Sequence, residues 1–274
     1  MTTTRRSFLA ALGAGVALAC DDSPIDTRRR VPRLGIQLYT MRAELARDLR
    51  GTLARLAAMG YRDVETAGTY LGSAADLRRI LDELALESSS AHLPLAAFER
   101  EETFDDARVM RQRWLTVSSP PAPAPVTRDD WSRVADALGA AATKAKARGF
   151  RFAYHNHAGE LARVGDTTGL DILLARTDPE LVSFQMDLYW AVTGGADPRA
   201  LLARFGPRFT MLHVKDSSGG ATPAIVDVGA GTIDFAAIFA ATTSVEGYFV
   251  EHDVPRDAFA TAEASARYLA ALRF

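Results

Sequence analysis

Residues 151–157 read RFAYHNH, a short stretch in which large apolar side chains alternate with small or polar ones. In an extended strand successive side chains point to opposite faces. Phe152 and Tyr154 therefore form one set, and Ala153, His155 and His157 the other. The same division recurs along the chain. Val182, Phe184 and Met186 oppose Ser183, Gln185 and Asp187. Leu212 and Val214 oppose Met211, His213 and Lys215. Tyr248 and Val250 oppose Phe249 and Glu251, and Leu34, Ile36 and Leu38 oppose Gly35, Gln37 and Tyr39. One face is large and apolar, while the other turns polar toward the strand's C-terminal end. That is the pattern of a closed parallel barrel, with the apolar set against helices and the other set pointing inside.

The rhythm outside these strands agrees. Strands are expected at Leu34–Tyr39, Asp63–Thr66, Glu87–His92, Trp114–Val117, Arg151–His157, Val182–Asp187, Phe209–Lys215 and Gly247–Glu251. Helical patterns lie between them, among them Arg47–Met59, Ala74–Ala85, Asp129–Arg148 and Ala258–Leu272, and the third and sixth helices look short. Gly60 and Gly149 stand where left-handed helix caps belong. Eight βα units over about 240 residues specify a single α/β domain, a (β/α)8 TIM barrel spanning 34–274. The proline-rich run SSPPAPAP at 118–125 then reads as a stiff loop at the barrel mouth.

Inward residues at the strand ends converge on that mouth, where TIM-barrel active sites lie. The parity places His155, His157, Asp187, His213, Lys215 and Glu251 around one cavity, joined by Glu65 and His92. Burying so many ionisable groups costs several kcal/mol unless they pair with one another or hold a metal. Carboxylates with imidazoles and no thiolate suit one divalent ion such as Mn²⁺, Mg²⁺, Co²⁺ or Zn²⁺. Asp187, His213 and Glu251 make a three-ligand set, with a fourth ligand expected from the fifth strand. Gln37, Tyr39, Glu65, His92 and Trp190 are the expected substrate contacts.

With 32 basic and 34 acidic residues the net charge is −2, which excludes a broad phosphate-neutralising face for nucleic acid. Neither a dinucleotide fingerprint, a P-loop nor a GxSxG elbow is present.

The motifs LGIQLYTMR, GTLARLAAMGYRDVE, AHLPL, FAYHNHAGE, MDLYWAVTGGADP, LHVKD, VGAGTIDF and YFVEHD occur in this order between 34 and 253. As a set they resemble the sugar phosphate isomerase/epimerase family of xylose-isomerase-like TIM barrels. The resemblance implies one catalytic divalent metal at the barrel mouth, with Asp187, His213 and Glu251 on the family's ligand positions. Glu160 is the expected fourth ligand and His155 its rival. Glu160 and Glu251 would then exchange the substrate proton, with His155, His157 and Lys215 as further catalytic groups. The expected activity is isomerisation or epimerisation of a sugar or keto-sugar through an enediolate. A lyase or hydratase acting on keto-sugars or glycosides is the alternative, and a sugar-binding protein the non-enzymatic one.

The N-terminal residues carry an address. TRRSFL at 4–9, followed by the apolar run Leu9–Ala19, reads as a twin-arginine export signal over residues 1–20. The one cysteine, Cys20, ends Leu18-Ala19-Cys20, an imperfect lipidation signal, while Ala17-x-Ala19 also fits ordinary cleavage. The expectation is an exported protein, periplasmic or membrane-anchored through a lipid on Cys20, with residues 21–33 as a polar tether. Its partners would be the twin-arginine machinery and a small sugar, and no nucleic acid.

Overall fold

Strand β1 (Leu34–Gln37) starts a barrel that continues through β2 (Asp63–Ala67), β3 (Glu87–Leu93), β4 (Trp114–Val117), β5 (Arg151–His155), β6 (Val182–Asp187), β7 (Phe209–Val214) and β8 (Gly247–Val250). The structure is a computed structural model that describes residues 28–68 and 70–274. The strands close in the order β1-β8-β7-β6-β5-β4-β3-β2, and each pairs in parallel with its neighbours. Each is followed by a helix: α1 (Leu49–Ala58), α2 (Ala74–Glu83), α3 (Glu101–Met110), α4 (Arg128–Ala147), α5 (Gly169–Arg176), α6 (Pro198–Phe205), α7 (Phe235–Ala240) and α8 (Ala258–Ala271). Signals in the sequence start these helices. Thr127 and Asp130 form a reciprocal capping box on α4, a contact of about 1 kcal/mol. Pro198 opens α6, where its missing N–H costs nothing.

The parity reading fits the core. Phe152, Tyr154, Phe184, Leu212 and Tyr248 lie buried in the layer between sheet and helices. Trp114, Ala153, Met211 and Phe249 form a separate apolar plug inside the barrel. Gly35 makes room for this plug, because a Cβ there would stand 2.6 Å from the Phe249 ring. The Arg151 guanidinium lies over Trp114 at 3.8 Å. The polar end of the barrel therefore rests on a filled floor.

Three expectations change. The third helix is a full ten residues, because Phe104, Ala107 and Met110 bury one face of an otherwise acidic segment, and α7 is the shortest barrel helix. Strands β1, β5, β7 and β8 end one or two residues early, so Tyr39, His157, Lys215 and Glu251 lie just beyond them. The expected tether does not run free to Arg33. The Arg29 N–H donates to the Phe274 carbonyl at 2.7 Å, the Arg29 carbonyl accepts from the Phe274 N–H at 3.0 Å, and the Arg29 guanidinium donates to the Thr242 and Phe239 carbonyls. The signal segment, Cys20 and residues 21–27 lie outside the described residues.

Asp63 offers a test of how the barrel tolerates charge. Its carboxyl accepts from the Ser89 N–H at 2.9 Å and from the Ser89 hydroxyl at 2.5 Å. Burial nevertheless pushes it up to about 6, against those bonds. A raised carboxyl favours the fold below its unfolded pKa, and the contribution is lost as pH rises through about 6. Asn keeps both contacts without the ionisation cost. Asp63→Asn is expected to be neutral near pH 4 and stabilising by about 2–3 kcal/mol at pH 8, measured by denaturant unfolding at both pH values. A difference that does not vary with pH would contradict this.

Candidate metal and substrate site

The site is built in layers. Backbone register places Gln37 beside Glu65 and Glu65 beside Ser90, with His155 beside Gln185 and Asp187 beside His213. Glu65 is the hub of the lower layer and is fully buried. It accepts from Gln37 Nε2 at 2.8 Å, Ser90 Oγ at 2.6 Å, Gln185 Nε2 at 2.8 Å and His213 Nε2 at 2.5 Å. Burial alone would raise its pKa, but the imidazoles of His92 and His213 and these donors hold it down at about 2.

His213 stands between two carboxylates, with Nδ1 2.8 Å from Glu251 Oε2 and Nε2 on Glu65. Burial opposes its charge, yet Glu251 and Glu65 carry it up to about 10. The Lys215 ammonium is buried among three acids: Asp187 at 3.0 Å, Glu251 at 2.8 Å and Asp253 at 2.8 Å. Burial would lower its pKa, and the three carboxylates raise it instead. Burial pushes Asp187 up, against the pull of Lys215. Its Oδ1 accepts from the Trp190 N–H at 2.9 Å, whereas Oδ2, though at ion-pair distance from Lys215, receives no aligned hydrogen bond.

His155 shifts the opposite way from His213. Burial and the neighbouring cations hold it well below its ordinary pKa. Gln185 gives its amide N–H to Glu65, so its carbonyl is the acceptor for His155 Nδ1 at 3.1 Å and for His92 Nε2 at 2.7 Å. That fixes the proton on His155 Nδ1 and leaves Nε2 unprotonated on the side of Asp187, 3.9 Å away.

The residues fit a divalent ion. One ligand atom each from His155, Asp187, His213 and Glu251 lies within 4.8 Å of all the others, and His92, His155 and His213 form a second, overlapping group. Four carboxylates (Glu65, Asp187 and Glu251, all buried, and the part-exposed Asp253) face one ammonium, Lys215, and one imidazole held between two of them, His213, so acids outnumber bases in the cluster. Together with the unbonded Asp187 Oδ2, this is the chemistry of a dication site.

Above it opens a cavity of about 780 Å³ whose wall includes Gln37, Tyr39, His92, His155, His157, Trp190 and Glu251. Ser118 to Ala122 close one side, so the proline-rich run is a mouth loop as its composition implies.

Known proteins share this fold. The sequence pattern of the xylose isomerase-like TIM barrel matches residues 53–272. The chain belongs to that family. It is 28% identical to a sugar phosphate isomerase/epimerase of Parabacteroides distasonis, whose structure superposes with a TM-score of 0.74 over 87% of this chain and 94% of that one. It is 25% identical over 189 residues to the inosose dehydratase of Geobacillus kaustophilus, a match that spans 60% of each chain. To the inosose dehydratase of Bacillus anthracis it is 34% identical over 90 residues, 33% of this chain and 30% of that protein.

Within this family member, three residues stand elsewhere than the sequence reading put them. Glu160, the expected fourth ligand and proton carrier, is not in the cluster. It sits in a short turn after β5, accepting from Tyr154 Oη at 2.6 Å and from the His157 N–H at 3.0 Å. Tyr154 belongs to the helix-facing set, and its phenol holds the carboxylate on that side. Glu65, expected to touch substrate, lies beneath the cavity floor. Lys215, expected to be a catalytic group, is 1% exposed and is walled off by its acids. Two contributors were missed. Gln185 shares inward parity with Asp187, and Asp253 shares it with Glu251 two residues earlier. Asn156, facing the other way, accepts from the Asp187 N–H at 3.2 Å and braces the end of β6.

Glu65 bonds the far nitrogen of His213, the geometry by which a carboxylate orients a metal-ligating imidazole. Glu65→Gln is expected to weaken divalent-ion binding about 10–100-fold, measured by calorimetric titration with Mn²⁺. Unchanged affinity would show that Glu65 only packs.

Proposed function

We propose that the protein is a divalent-metal-dependent enzyme that dehydrates a keto-sugar or cyclic polyhydroxy ketone. The observation that carries this reading is His155 in the ligand cluster with Glu160 bonded away from it. A two-carboxylate proton exchange of the kind expected for epimerisation needs a second acid beside Glu251, and His155 stands there instead. An imidazole-led elimination fits this set better. The inosose dehydratases among the relatives favour the same chemistry.

The ion, held by His155, Asp187, His213 and Glu251, would supply Lewis acidity that stabilises charge developing on the substrate carbonyl oxygen. The chain's own groups do the rest. His157 lines the cavity beside Trp190, their ring centroids 5.8 Å apart. Its imidazole takes the proton from the carbon next to the carbonyl, and the same proton leaves with the departing hydroxyl as water. General acid–base help of this kind is worth about 10²–10⁴-fold. Gln37 and His92 orient substrate hydroxyls, Tyr39 and Trp190 offer apolar faces to the ring, and the 118–122 loop limits water access. Among the described residues the cavity wall carries no Lys or Arg, which favours an unphosphorylated substrate.

Export by the twin-arginine route, with or without a lipid on Cys20, is part of this proposal and rests on residues 1–20 alone. Mass spectrometry of the mature N-terminus tests it.

The reaction is tested by incubating the protein with inososes and keto-sugars in D₂O, with and without chelator. Loss of water from the substrate, abolished by chelator, is the expected result. Inversion at carbon with solvent deuterium and no loss of water would replace dehydration with epimerisation, the reading favoured by the relative from Parabacteroides distasonis.

A further inference from the structure

We propose that Lys215 is an internal rival of the divalent ion for Asp187 and Glu251, and that Asp253 is the partner to which its ammonium withdraws. This rests on the metal-centre reading above. The Lys215 ammonium stands 3.0 Å from Asp187 Oδ2 and 2.8 Å from Glu251 Oε2, oxygens of two residues in the four-ligand cluster. A dication on those residues and an ammonium at the same distance would repel each other strongly in a site this buried.

The third contact is different. Asp253 lies outside the ligand cluster, lines the cavity and is 27% exposed on its side chain. Its Oδ1 already accepts a 2.8 Å hydrogen bond from Lys215 Nζ, while the contact with Asp187 has ion-pair distance without hydrogen-bond alignment. The ammonium can therefore give up its two contacts within the cluster and keep Asp253. The flexible four-carbon stem permits the movement, and the Trp190 ring, 5.6 Å from Nζ, offers a second attractive surface. Competition of this kind keeps the two carboxylates charge-balanced and in place before an ion arrives. It also sets ion affinity below what four ligands alone would give.

The test is Mn²⁺ binding by the full chain, measured by electron paramagnetic resonance of free Mn²⁺ with folding checked by circular dichroism. Lys215→Met is expected to bind Mn²⁺ about tenfold tighter or more. Asp253→Asn is expected to bind about threefold weaker or more, and to lose that effect in the Lys215→Met background, because Asp253 acts through the lysine. Equal or weaker binding by Lys215→Met overturns the inference, as does an Asp253→Asn effect of the same size in both backgrounds. If Lys215→Met does not fold, Asp253→Asn alone decides, and unchanged or tighter binding overturns it. Mn²⁺ binding by the unsubstituted chain with no Lys215 effect sinks only this inference. No binding by the unsubstituted chain sinks it together with the metal centre.

Discussion

Asp187→Asn is expected to abolish ion binding at micromolar concentrations and to lower turnover by about 10³-fold, equivalent to ~4 kcal/mol of transition-state stabilisation. The fold should survive. Asn keeps the oxygen that accepts the Trp190 N–H, and Lys215 retains Glu251 and Asp253 as partners. The change isolates one carboxylate oxygen, the Oδ2 that receives no aligned hydrogen bond. Thermal melting, metal analysis and a turnover assay on one preparation make the measurement. Full ion stoichiometry with turnover within tenfold of the parent would remove Asp187 from the centre.

The second large effect is a contrast between two neighbours in one motif. His155→Ala is expected to lose the bound ion and about 10²-fold or more of the activity, with little change in melting temperature. Glu160→Gln should behave in the opposite way. Its ion content stays at the parent level, because its oxygens are occupied by Tyr154 and the His157 N–H. Stability falls by about 1 kcal/mol, since the amide oxygen can keep the His157 N–H while its nitrogen turns to Tyr154, whose phenol must then accept instead of donate. Metal analysis beside denaturant unfolding separates the two. Ion lost from Glu160→Gln and kept by His155→Ala would reverse the assignment and restore the two-carboxylate proton exchange.

The contrast also shows where strand parity stops being informative. Period-two alternation was enough to find the barrel and the inward direction of His155, Asp187, His213 and Glu251, because those side chains lie on strands or one residue past them. Glu160 lies beyond β5 in a turn, where alternation has no meaning, and a tyrosine on the outer face captures it. Depth was a second blind spot. Parity gives the face but not the layer, so Glu65 and Glu251 looked equivalent. Register puts Glu65 under the floor beside Gln37 and Ser90, where it orients His213 from below. Lys215 looked like a group facing substrate because it follows His213 by two. Only the three acids packed around it show that its charge is spent within the site. Asp253 and Gln185 have the inward parity, but neither stands out by residue type in its motif.

The proposed divalent-ion centre takes one side chain from each of four consecutive barrel strands or their ends. The most direct measurement is anomalous diffraction from crystals grown with Mn²⁺. One strong peak enclosed by His155, Asp187, His213 and Glu251 is expected, with Glu160 still bonded to Tyr154. A peak coordinated by Glu160, or none at the barrel mouth in crystals that hold Mn²⁺ elsewhere, would contradict it.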